Sequence, residues 1–192
     1  MYKLCKIEQS SKRQREIEGV LLSLMLEKRY DDISVSEICE RAQMPRKSFY
    51  RYFDGKDGAM QSLLYHTMME FEFIRISSKN SERTLKDDFC DFFIFWKGKR
   101  DFLEAFDKSG LIGLLVESVT NSAMEQFDEI GRYIGNSCES ENRTTLLFIV
   151  SGLMTMTINW YRTGFAESVQ NMSRIATKIV TRPLFENLSR TE

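Results

Sequence analysis

Four cations, Arg46, Lys47, Arg51 and Lys56, share a short stretch with a single carboxylate, Asp54, and Tyr50 and Tyr52 are interleaved among them. Unneutralised ammonium and guanidinium groups beside phenolic hydroxyls attract and bond phosphate, so the chemistry this stretch suits is contact with a nucleic-acid backbone. Catalytic chemistry is poorly supplied by comparison. His66 is the only histidine, which removes triads, zinc sites and most general-base arrangements, because each needs imidazole at a fixed place beside other groups. A di-iron carboxylate bundle needs Glu-x-x-His, and the residue three before His66 is Leu63. Cys5, Cys39, Cys90 and Cys138 are single and far apart, matching neither a disulfide framework nor a metal spacing, so a reducing cytoplasm is expected. We expect no enzyme, no metal and no cofactor.

The elements that carry the cations follow from periodicity and caps. Ile17, Val20, Leu21, Leu24 and Met25 recur at helical spacing and predict a first helix over Gln9 to Lys28. Ser34 followed by Glu37 is a capping-box pattern and starts a second helix near Val35, running to about Gln43. Pro45 suits the first turn of a third helix reaching Tyr52 or Phe53. Phe49 and Phe53, four apart, pack inward, leaving Arg46, Lys47, Ser48, Tyr50, Arg51 and Tyr52 outward. Asp54-Gly55 turns the chain into a long fourth helix from Lys56 to about Ser77. Two short helices across a tight turn, the second basic, form a helix-turn-helix whose second member enters a major groove.

Val35-Ser36-Glu37-Ile38-Cys39-Glu40-Arg41-Ala42, then Ser48-Phe49-Tyr50-Arg51-Tyr52-Phe53, then Lys56-Asp57 resemble the DNA-binding domain of TetR-type transcriptional regulators over about Lys12 to Leu64. The resemblance implies phosphate contacts from Ser34 and Ser36, Tyr50 and Tyr52 on the DNA backbone, and Lys56 clamping a phosphate from the start of the fourth helix. Residues in the first turn of a recognition helix reach base edges, which gives base reading to Arg46, Lys47 and Ser48. The chain departs from the family at two positions, with Gln43 where Gly is usual and Pro45 where Ser or Thr is usual. The turn at Gln43 therefore needs a costlier backbone angle.

The remainder is larger and more apolar. Of 14 phenylalanines only Phe49 and Phe53 precede residue 57. Up to Lys56 the chain has 12 Lys/Arg against 9 Asp/Glu, and beyond it 15 against 19, so the basic excess lies with the helix-turn-helix. With only 10 Gly and 2 Pro and no period-two pattern, the expected fold is all-α: an N-terminal three-helix helix-turn-helix domain over residues 1–55 and a larger helical regulatory and dimerisation domain over 56–192. Helices are expected over Glu82 to Lys97, Lys99 to Lys108, Leu111 to Ile134, Glu141 to Gly164 and Ser168 to Leu188, with Pro183 kinking the last. Cys39 is expected in the core, and His66 as an ordinary, partly exposed residue without a role.

TetR-type proteins hold an inducer cavity in the larger domain, which implies an unknown small-molecule effector. Phe92, Trp96, Phe106, Met124, Phe127, Met154 and Trp160 are the expected lining for an apolar or aromatic one. The segment between Arg143 and Arg162 has 18 uncharged residues, seven of them Thr, Ser, Gly or Asn. That is too polar for a spanning helix of about 20 apolar residues, so no membrane partner is expected. Nor does the N-terminal stretch have the apolar run of a signal peptide, and secretion is not expected. Apolar around most of its circumference, the uncharged segment instead needs two neighbours. It and the last helix are expected to form a homodimer interface, with Ser151-Gly152 allowing close approach. The leading expectation is a ligand-responsive dimeric regulator, in this family usually a repressor, on palindromic double-stranded DNA. The alternative is a helical adaptor acting through a protein coregulator, and it rests on the departures at Gln43 and Pro45.

Overall fold

The computed structural model describes residues 8–77, 83–127 and 138–182, and within them every regular element is helical. The expected helix start at Glu82, the ends at Ile134 and Leu188, the kink at Pro183 and Cys5 lie outside the described residues. These residues form two compact units. One joins the residues up to Glu70 to Arg100–Ser118; the other joins Phe71–Lys99 to those from Val119 onward.

In the first unit, α1 (Glu8–Glu27) buries Ile17, Leu21, Leu24 and Met25 completely. The chain then makes a short 3-10 turn at Tyr30–Asp32 before α2 (Val35–Arg41), α3 (Arg46–Phe49) and the first part of α4 (Lys56–Ser77). The unit is larger than an N-terminal segment of 55 residues because α6 (Arg100–Lys108) packs on α1 and adds Phe102, Leu103 and Phe106 to the same core. Phe102 and Phe106 stack with centroids 4.5 Å apart.

Gln14 and Glu18 also lie on the inner side of α1, where burial of polar groups is tolerated only if each finds a partner. Inward-facing residues of α4 supply them. Ser62 donates its hydroxyl to Glu18 Oε1 at 2.6 Å and accepts from Gln14 Nε2 at 2.8 Å. His66 Nδ1 sits 2.8 and 2.9 Å from the two Glu18 carboxylate oxygens. His66 is therefore only 8% exposed and buried, not partly exposed as expected; the partner that draws it in lies 48 residues away in sequence.

The second unit is built on α5 (Leu85–Gly98), which packs against α9 (Val169–Thr181) and α8 (Glu139–Arg162). α7 (Ile112–Glu125) crosses the division of the chain between residues 118 and 119. Helix α5 begins at Leu85 because Thr84 caps it reciprocally: the Asp87 N–H donates to Thr84 Oγ1, and the Thr84 N–H donates to Asp87 Oδ2 at 2.9 Å. Phe93 and Trp160 meet edge to face at 5.8 Å at the centre of this core. None of the described helices is long and apolar enough to cross a membrane.

Candidate nucleic-acid interface

Helix α2 starts where Ser34 accepts the Glu37 N–H at 3.2 Å. The other half of the expected capping box does not form, since the Glu37 carboxylate instead takes Lys28 Nζ at 2.6 Å and ties α2 to α1. The helix ends in a six-residue closure. The Met44 N–H donates to Cys39 O at 2.9 Å and the Gln43 N–H to Glu40 O at 3.0 Å, which requires Gln43 to adopt the left-handed region at φ 49°. The same closure ends α6 and α8, where Gly110 and Gly164 occupy the left-handed position at φ 70° and 73°. The turn thus takes the usual helix-turn-helix route despite its side chain, at a cost of about 1 to 2 kcal/mol.

Pro45 caps α3 in an extended conformation and has no side-chain capping bond. The helix proper is one turn, Arg46–Phe49, shorter than the expected run to Tyr52 or Phe53. Beyond it the backbone continues as hydrogen-bonded turns, Tyr52 N–H to Phe49 O and Phe53 N–H to Phe49 O. Phe49 and Phe53 are buried as expected, with ring centroids 5.3 Å apart. Their burial turns Arg46, Lys47, Tyr50 and Arg51 to the exposed side and leaves Ser48 and Tyr52 half-buried. Ser34 and Ser36 are exposed on the neighbouring α2 side, and the Ser34 hydroxyl hydrogen remains available to a phosphate while its oxygen caps the helix. Among the described residues no carboxylate pairs with Arg46, Lys47 or Arg51; Arg46 meets only the Tyr50 hydroxyl, at 3.4 Å. Cys39 beneath them is 3% exposed, and burial pushes its thiol up, out of the range of a sensing thiolate.

The expected phosphate clamp, Lys56, is engaged within the protein. Its ammonium donates to three carbonyl oxygens of the turn before α2, Tyr30 at 2.8 Å, Asp31 at 3.1 Å and Ile33 at 3.0 Å, and lies 4.4 Å from the Tyr30 ring centroid. An ammonium has three donors, so none is left for a phosphate while this arrangement holds. The physical reason is the 3-10 turn, which aims its carbonyls at the start of α4 and was not visible in any motif. Tyr30 is itself held, its N–H by Ser109 Oγ at 3.1 Å and its hydroxyl by Asp57 at 2.5 Å. Burial, then that bond, pushes the Tyr30 phenol far up. Further braces that sequence did not reveal are Arg13 to Ala42 O at 2.8 Å and the two-pronged Arg41–Glu27 pair at 2.7 and 2.8 Å. The latter pair is half exposed, so it contributes orientation more than stability.

The second unit contains an apolar cleft of about 130 Å³ lined by Phe71, Leu85, Phe89, Phe92, Leu146, Ile149, Val150, Leu153 and Val180, with Arg75, Asp88 and Asp91 at its polar side. Of the seven residues expected to line a ligand pocket, Phe92 alone lines this one. Phe106 belongs to the core of the first unit; Trp96, Met154 and Trp160 are almost completely buried in that of the second; Phe127 is covered and lies under the Arg143 guanidinium at 4.6 Å. Met124 is half-buried outside the cleft. Most of the expected residues fill the cores, whereas the cleft is lined by Phe71, Phe89 and Phe92 together with aliphatic groups. Its polar groups are held in place, Arg75 by Glu72 at 3.0 and 2.7 Å and Asp88 and Asp91 by Arg83 at 3.1 and 2.6 Å.

On α8, Leu146, Val150, Leu153, Met154, Ile158 and Trp160 face the core, and the opposite side exposes Leu147 and Phe148, the latter 72% exposed. Gly152 and Thr155 continue that outward side, and a side chain added at Gly152 would meet nothing.

Residues 21–62 match the family of bacterial regulatory proteins of tetR type. No curated protein matches the chain in sequence. Among solved structures, a TetR transcriptional regulator from Streptococcus agalactiae 2603V has a TM-score of 0.66 at 14% identity, covering 91% of this chain and 96% of that one. The fatty acid degradation regulator FadR from Bacillus halodurans gives 0.64 at 16% identity, covering 90% and 96%. The dihydroxyacetone kinase operon activator DhaS gives 0.59 at 15%, covering 88% and 93%. The fold is that of TetR-type regulators, with the helix-turn-helix at its N-terminal end; the matched family and these structures are transcriptional regulators and not enzymes.

Proposed function

We propose, taking a tetR-type helix-turn-helix as the premise, that this protein is a cytoplasmic, ligand-responsive homodimeric regulator that represses from a palindromic operator. The observation that carries the reading is the cluster Arg46, Lys47 and Arg51, exposed and without carboxylate partners among the described residues, on the recognition helix and the turns just past it, whose other face is locked down by Phe49 and Phe53. Arg46, Lys47 and Ser48 contact base edges; Ser34, Ser36, Tyr50, Arg51 and Tyr52 contact phosphate and set the register. The departures at Gln43 and Pro45 leave the turn and the following helix formed, which favours DNA over a coregulator as the partner.

The outward side of α8, with α9 beside it, pairs two copies about a two-fold axis and so sets two recognition helices on successive half-sites. The apolar cleft takes the effector. A cavity of roughly 150 Å³ holds one benzene ring, so at about 130 Å³ the fit is to a small aryl or short alkyl group unless the cleft widens. A tenfold loss of DNA affinity on induction requires about 1.4 kcal/mol of coupling, within the usual range, and operator must weaken effector binding by the same factor.

The test is selection of bound fragments from the source genome, followed by titration of the selected duplex at about 50 and 200 mM salt. A dimer making six to ten phosphate contacts should lose roughly 10³ to 10⁵ in affinity across that range. Arg46→Ala should cost about 1 to 3 kcal/mol at the selected site and relax its sequence preference. Failure to enrich any fragment, with no salt-dependent binding, would overturn the reading.

A further inference from the structure

Beside the recognition helix lies an open crevice with two walls, one from the first turns of α1 and the other from the residues just past α3. Lys12 and Ser10 stand on the α1 wall, and Arg51 and Tyr52 on the other. Lys12 is exposed and, like Arg51, makes no ion pair among the described residues. Arg13 also lines the crevice, but its guanidinium is committed to Ala42 O at 2.8 Å and Glu16 at 2.7 Å. Among the described residues Glu16 is the one carboxylate there, and its charge is balanced by Arg13. Among the described residues, the remaining charge is two cations in no ion pair facing a shared gap, with hydroxyl donors on both walls.

That is the donor set of a site for one phosphate group: two cations, two O–H donors and an opening to solvent through which a polymer strand can pass. The crevice is continuous with the exposed surface of α3 through Arg51. The first turn of α3 faces base edges, so residues past its other end face a strand that walls the groove, where only phosphate and sugar are offered. We propose that Lys12 extends the reading head beyond the helix-turn-helix, and that the crevice seats one backbone phosphate of duplex DNA between Lys12 on α1 and Arg51 with Tyr52 on the opposite wall. This rests on the DNA-binding reading above and adds to it a contact from α1 that carries no sequence information. The matched family segment begins at residue 21, so Lys12 lies outside it.

The test uses the full-length protein and a fluorescein-labelled duplex of mixed sequence, roughly three helical turns long, because a phosphate contact does not need the operator. Affinity is measured across a salt series between about 50 and 200 mM. Lys12→Ala should lower the slope of log affinity against log salt by about one unit, and Lys12→Arg should restore it. Lys86→Ala, which removes an exposed lysine on α5, should leave the slope as it was and exclude a general effect of net charge. Glu16→Gln should tighten binding roughly two- to five-fold at the low-salt end, by removing the carboxylate from the crevice. A Lys12→Ala slope equal to that of the wild type, in a wild type that binds, overturns the α1 contact alone. Absence of binding by the wild type to this duplex and to genomic fragments overturns the DNA-binding reading and the α1 contact with it.

Discussion

A lysine at the start of a helix is electrostatically misplaced, since the N-terminal amides already carry partial positive charge. Lys56 resolves the conflict by turning its ammonium away from those amides to the carbonyls of Tyr30, Asp31 and Ile33, which carry the opposite partial charge. Removing it takes a donor from three carbonyls, of which Tyr30 O keeps the Ile33 N–H, in a half-buried spot that water reaches only in part. Lys56→Met is expected to cost about 1 to 3 kcal/mol of stability in denaturant unfolding. It should leave the salt slope of DNA binding within error of the wild type. A slope lower by one unit with stability unchanged would return Lys56 to the phosphate contact that its position in the motif implies.

At the scale of elements, three helices end in one hydrogen-bonding pattern, and two of them use glycine for the left-handed residue. The third, at the turn between α2 and α3, uses Gln43, whose Cβ makes that region unfavourable by about 1 to 2 kcal/mol. Gln43 is exposed and its side chain makes no hydrogen bond among the described residues, so little is lost with it. Gln43→Gly is expected to stabilise the protein by about 1 kcal/mol, raising Tm by roughly 2 to 4 °C, once the greater chain entropy of glycine is subtracted. Thermal unfolding followed by far-UV circular dichroism measures it. An unchanged or lowered Tm would mean that the turn relaxes elsewhere to accommodate Gln43.

For the whole molecule, the largest exposed aromatic surface on α8 is Phe148, at 72%. In a two-fold interface each substitution acts twice. Burying a phenylalanine stabilises by about 1.5 to 3 kcal/mol, so losing two weakens a dimer by roughly 3 to 6 kcal/mol, a factor of about 10² to 10⁴ in its dissociation constant. Phe148→Glu should therefore yield a monomer in sedimentation velocity at concentrations where the wild type is a dimer. Its affinity for a single half-site should be preserved while that for the full palindrome falls. A Phe148→Glu variant that remains dimeric would move the interface off this face.

Sequence by itself determined the helices and the exposed basic face of the helix-turn-helix, because both follow from interactions a few residues long. The stripe of Ile17, Leu21, Leu24 and Met25, the Ser34 cap, the Asp54-Gly55 turn and the inward pair Phe49 and Phe53 are each set by local spacing, and the structure keeps them. The single turn of α3 shows the limit of that rule: it follows Pro45 as expected but stops at Phe49. What only the tertiary structure decided involves partners far apart in the chain. Glu18 and His66 are buried because each satisfies the other across 48 residues, and neither sequence environment signals it. Lys56 is drawn to carbonyls at least 23 residues away. Phe106 joins α1 in one compact unit although the chain between passes through the other. The cleft followed the same logic, since a concavity is where packing leaves space, and residue size along the chain identifies only the groups that fill space.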